Sequence, residues 1–163
     1  MTLAFHVDRT VLLEDGNAAD EAIRHALENR SSGLSCDTVS FLYLKSRDSE
    51  IREASLTVAL NHDNGYGGLV WYPDGSLAER LGEKLGQDFA DATWVSYNPE
   101  PPEFDPEIVI DPWVPTLMNR MSALPVTLLK AALEEFCSTG TGERPESVEW
   151  TEGQYDGTLM QGS

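Results

Sequence analysis

The densest collection of chemically capable residues is NHDNGYGGLVWYPDG, residues 61–75. Its glycines, histidine, carboxyls and amides could grip a phosphate, hold a metal or turn the chain. A phosphate loop needs fixed glycine spacing ending in Gly-Lys-Ser/Thr and then a helix. Here the glycines run into Leu69-Val70-Trp71-Tyr72, a strand pattern, and no lysine follows. For a metal, His62 and Asp63 are adjacent and would point to opposite faces of a strand. No second histidine stands at helical ligand spacing. The stretch therefore reads as a hairpin: a polar turn over Asn61–Gly65, a returning strand, and a second turn at Tyr72-Pro-Asp-Gly75.

Other catalytic constellations are absent. No serine occupies a Gly-x-Ser-x-Gly elbow. Cys36 and Cys137 lie in apolar surroundings and read as two buried free thiols. Two cysteines alone make no zinc site, and Cys137 falls near a helix C-terminus, which disfavours a thiolate. Neither a cofactor nor a metal is expected. Carboxylates abound, so their pairing carries no information. A small cytoplasmic enzyme working with scattered carboxylates and His6 or His62 stays open as an alternative, as does an acidic adaptor.

Charge narrows the partners. Twenty-eight acids against eleven bases give −17, a field that repels nucleic-acid phosphates. Such a charge keeps a protein soluble, and it also accelerates encounter with a basic protein. The 163 residues, 40% apolar, suit one domain over 1–152 with a polar, frayed tail at 153–163. The start MTLAFHVDRTVLLEDG lacks the pattern of a secretory signal, so a cytoplasmic location is expected.

Hydrophobic periodicity supplies the elements that would position any site. Strands are expected at 2–7, 38–45, 54–60, 67–72, 92–97 and 147–151, with 11–13 as a continuation or partner of the first. The 46–53 connection between two of them looks too charged to be buried. Ala19, Ala22, Ile23, Ala26 and Leu27 recur at helical spacing behind Asn17 as N-cap, with His25 on the solvated face. A second helix spans 76–86, with Ser76 and Glu79 as a capping box. A third carries Val126, Leu129, Leu133 and Phe136, with Pro125 in its first turn. Between them, 98–115 holds six prolines and reads as an extended exposed loop, in which Glu107–Asp111 can form a short edge strand. The sum is α+β: a largely antiparallel sheet with two or three helices packed on one face.

The pieces in order are Gly67-Gly68 leading into Leu69-Val70-Trp71-Tyr72, then TWVSY, then a proline-bearing helix followed by TGERPESVEW. Together they resemble immunity protein family 1 of bacterial polymorphic toxin systems, over roughly residues 38–150. The most specific part is Phe136, Thr141, Gly142, Arg144, Pro145 and Trp150. STGTGERP carries an extra Thr-Gly, so the turn after the helix is longer than the family pattern. Gly140 or Gly142 would cap the helix, Arg144 would bond its last carbonyls or a carboxylate, and Trp150 would return to the core. The resemblance implies a cytoplasmic antidote that binds and blocks a cognate toxin domain without catalysis, often a deaminase-like toxin acting on nucleic acid. A −17 chain suits the basic cleft of such a toxin. Within the exposed loop, Glu100, Glu103, Asp105, Glu107 and Asp111 surround Phe104, as acids around an aromatic anchor. These six are the candidate toxin-binding residues.

Overall fold

The computed structural model describes residues 1–7, 9–28, 36–86, 92–111, 113 and 116–160. In chain order the elements are β1 (Thr2–His6), β2 (Thr10–Leu12), α1 (Gly16–Glu28), β3 (Cys36–Leu44), β4 (Arg52–Asn61), β5 (Tyr66–Pro73) and α2 (Gly75–Leu85). There follow β6 (Thr93–Tyr97), a 3-10 turn (Arg120–Ser122), β7 (Leu124–Pro125), α3 (Val126–Thr139) and β8 (Glu149–Gly153). The strands form one eight-stranded antiparallel sheet in the order β2-β1-β3-β4-β5-β6-β8, with β7 also on β5. The expected α+β class holds, with three helices contributing to a single face.

Strand alternation divides the sheet into two faces. Leu56, Val58 and Leu60 of β4 and Leu69 and Trp71 of β5 point to the helices, meeting Ile23, Leu81, Leu129, Leu133 and Phe136. The intervening Ala59 and Val70 face the other way, toward Val95, Ile108, Ile110, Met118 and Ala123. One face is therefore closed by helices and the other, in part, by the 98–123 segment.

The hairpin at 61–75 is present, with β4 and β5 paired from Ala54↔Pro73 to Asn61↔Tyr66. Its two adjacent glycines serve close packing. A methyl on Gly67 would fall on the carbonyl oxygen of Ala59 and lie 2.7 Å from Leu129 Cδ1, whereas one on Gly68 would meet the flexible end of Met118. Gly67→Ala should accordingly destabilise by about 3 kcal/mol, and Gly68→Ala by clearly less. Chemical denaturation of the two variants checks the order, and equal losses would disprove the account.

Several local expectations are corrected. Asp15, not Asn17, begins the first helix, its Oδ1 accepting from Ala18 N at 2.8 Å. His25 is half-buried and sets its ring edge-on against Phe5 at 5.6 Å. Asp74 caps α2 in place of Ser76. The reason is Glu53, assigned to the solvated connection but only 4% exposed. Its carboxylate accepts from Ser76 Oγ at 2.9 and 2.7 Å and from Leu77 N at 3.1 Å, so a tertiary carboxylate does the work of a local cap. Cys36 has its side chain outside the described residues. Cys137 is free and half-buried, and burial with Asp20 nearby pushes its thiol up to about 12. Essentially no thiolate exists there at neutral pH.

Residues 153–160 are not frayed. Gln154 N donates to Thr158 O at 2.7 Å, Gly153 bridges Leu159, and Gly157 packs beneath Met118 and Ile110. The expected Glu107–Asp111 edge strand reduces to an isolated bridge between Val109 and Leu117.

Candidate partner-binding surface

The 98–111 arm turns Glu100, Glu103, Phe104, Asp105 and Glu107 outward and is tied down through its main chain. Asn61 Nδ2 donates to Pro106 O at 2.9 Å and to Glu107 O at 3.3 Å, and Asn64 Nδ2 to Pro106 O at 3.0 Å. Thr38 Oγ1 donates to Ile110 O at 2.9 Å, and Arg120 Nη1 to Pro102 O at 2.6 Å. Ile108 and Ile110 are 1% and 6% exposed and form the apolar underside. This corrects the expectation of an extended exposed loop. Proline density blocked regular structure, and side-chain donors from the hairpin took over the carbonyls that a sheet would have bonded.

The six candidates fall into two groups. Glu100, Glu103, Phe104, Asp105 and Glu107 are exposed along the arm. Asp105 Oδ1 accepts from Glu107 N at 2.9 Å and helps hold Glu107 at φ 52, a left-handed conformation that few non-glycine residues adopt. Phe104, 49% exposed, stands edge-on to Tyr66 at 5.6 Å. Asp111 lies further along, half-buried at the rim of a cleft, its Oδ1 accepting from Trp113 N at 2.9 Å.

Three further residues belong to this surface and escaped the sequence reading. Trp113 is 92% exposed, the most open large apolar side chain among the described residues. Its setting between Pro112 and Pro115 was the available signal, since a tryptophan in a proline-bound turn has no strand or helix to bury it. Tyr155, 58% exposed, stacks tilted on Tyr72 at 5.3 Å, and Asp156 follows it. Thr158 holds the Asp156 carboxyl below the usual carboxylate range through its hydroxyl and amide, so this acid stays ionised at neutral pH. The Asp-Gly pair at 156–157 was a turn signal inside the stretch taken for a tail.

His6 Nδ1 is bonded to Thr10 Oγ1 at 3.0 Å, and His62 lies in the β4–β5 turn. No group of three or more His, Cys, Asp or Glu suited to a metal occurs among the described residues. No helix among them is long and apolar enough to cross a membrane.

The C-terminal signature gathers on the helix side. Gly140 caps α3 in the left-handed region at φ 70, and Gly142, also left-handed at φ 72, offers its carbonyl to Trp71 Nε1 at 3.0 Å. The additional Thr-Gly thus lengthens the turn while keeping both glycines in use. Arg144 does not bond the helix end. Its guanidinium lies over the Trp94 ring, 4.6 Å from the centroid, and the Tyr43 hydroxyl instead donates to Phe136 O and Cys137 O. Trp150 is only partly buried and donates from Nε1 to Pro145 O at 2.7 Å. These residues tie the last helix to the sheet and lie away from the acidic arm.

No curated protein matches the chain, and neither does any solved structure. A family model does, that of immunity protein Imm1, over residues 18–152. That span takes in the glycine hairpin, the acidic arm and the whole signature, and the chain belongs to the Imm1 family of immunity proteins.

Proposed function

We propose that this immunity protein neutralises a nucleic-acid-targeting toxin domain, deaminase-like in chemistry, by one-to-one binding that covers the toxin's basic cleft. The observation that carries the reading is the composition of the face opposite the helices. Phe104, Trp113 and Tyr155 are exposed there among Glu100, Glu103, Asp105, Glu107, Asp111 and Asp156. Exposed aromatics supply contact energy at an interface, and acids of one sign steer a basic partner to it. A cleft built for nucleic acid offers such a positive surface. The acids act as a polyanion would, so the toxin is blocked without any bond being made or broken.

Co-expression should rescue growth of cells producing the toxin domain encoded beside this protein, in proportion to the amount of antidote. Protection at sharply substoichiometric amounts would indicate enzymatic reversal and overturn one-to-one blocking. The charge is tested by Glu100→Lys with Glu103→Lys, whose exposed carboxylates hold no turn together. The fold should keep its melting temperature. Association at low salt should slow roughly tenfold, and its dependence on salt should flatten. Unchanged association rates at two ionic strengths would remove this arm from the interface.

A further inference from the structure

On the open sheet face, between Ile110–Asp111 and the 154–156 turn, lies a cleft of about 490 Å3. Its floor is a patch of hydroxyls from β3 and β4: Thr38, Ser40, Ser55 and Thr57. Three of the four are engaged. Thr38 Oγ1 bonds Ile110 O at 2.9 Å, and Ser40 Oγ and Thr57 Oγ1 bond each other at 2.9 Å. Ser55 is only 7% exposed, and its hydroxyl has no hydrogen-bond partner among the described residues. That hydroxyl opens onto the cleft and is free to donate to, or accept from, an occupant.

The walls indicate the charge of that occupant. Asp111 and Asp156 both line the cleft, and each has Oδ1 committed to its own turn, to Trp113 N and to Thr158 N and Oγ1 respectively. In each, no described residue engages Oδ2. No lysine, arginine or histidine is among the described lining residues, so these two charges face the cleft without a counter-ion. Tyr155 adds an aromatic wall.

We propose that this cleft receives an arginine side chain of the bound partner protein. The inference rests on the immunity reading above and specifies where a cation of the toxin is taken up. Arginine is favoured over lysine because a planar guanidinium presents several fixed donors to two carboxylates and a hydroxyl. It also stacks on an aromatic ring, which an ammonium does less well.

The probe is blocked arginine (N-acetyl-arginine N-methylamide), with the uncharged citrulline counterpart as control, titrated into isotopically labelled protein. Blocked arginine should give saturable shifts at the amides of Ser55, Tyr155 and Asp156, and the citrulline compound should not. Asp111→Asn with Asp156→Asn should abolish them; both asparagines retain the Oδ1 acceptor, so the turns survive. No saturable shift, or equal shifts with citrulline, would overturn the proposal. In the second arm the same double variant should weaken binding of the adjacent toxin domain by about tenfold or more. Glu79→Gln with Glu83→Gln, which removes equal charge on the helix side, should leave that binding unchanged. A toxin domain that binds parent and cleft variant equally overturns the cleft and leaves the immunity reading standing. A toxin domain that never binds the parent defeats the immunity reading, and the arginine probe then decides the cleft alone.

Discussion

Trp71→Ala should leave little of the folded protein at ambient temperature. The ring is 1% exposed in the helix-side core, and its Nε1 donates to Gly142 O at 3.0 Å. Emptying a buried tryptophan site costs about 3–5 kcal/mol, and stranding the Gly142 carbonyl adds about 1–3 kcal/mol. A domain of this size commonly holds about 5–15 kcal/mol in total, so the sum reaches or approaches the whole. Trp71→Phe keeps most of the volume and should lose about 1–3 kcal/mol through the carbonyl alone. Urea unfolding followed by circular dichroism reads both variants. An alanine variant that melts within a few degrees of the parent would show that the sheet and the α3 turn do not depend on this contact.

Trp113→Ala should do the reverse, sparing the fold and damaging recognition. With 92% of its surface exposed, the ring contributes almost nothing to stability, and the melting temperature should stay put. Bound in a partner's pocket it becomes a tryptophan anchor, whose truncation costs about 2 kcal/mol or more, roughly a 30-fold rise in Kd. The loss should appear mainly as faster dissociation, in contrast to the association effect of the charge-reversing variants. If surface-bound toxin domain captures Trp113→Ala as tightly as the parent, the interface lies on another face, with the helix side the next to examine.

Much of the sheet was legible because its signals are local. Leu56 and Val58 alternate with Ser55 and Thr57, and Asn61–Gly65 carries turn chemistry, so the antiparallel hairpin followed from period and punctuation. Residues whose surroundings come from distant parts of the chain were not legible. Glu53 looked solvated because nothing nearby in sequence reveals that Ser76 and Leu77 would come to its carboxylate. Arg144 was assigned to a carboxylate or to a helix end that Tyr43, over ninety residues earlier, already satisfies. The acidic arm was visible from proline and charge. The cleft beside it was not, since it needs Ser55 from a strand, Asp111 from the arm and Asp156 from a supposed tail to share one place.

The attachment of the arm separates a fixed framework from a free outer row of side chains. Asn61, Asn64, Thr38 and Arg120 hold carbonyl oxygens of the arm, at Pro102, Pro106, Glu107 and Ile110. A carbonyl is the same whatever side chain its residue bears. Glu103, Phe104 and Trp113 can therefore be rewritten one by one while the clasp beneath them stays intact. An antidote facing a toxin that changes its surface could follow it by altering outward letters alone, without renegotiating the core on the far side of the sheet.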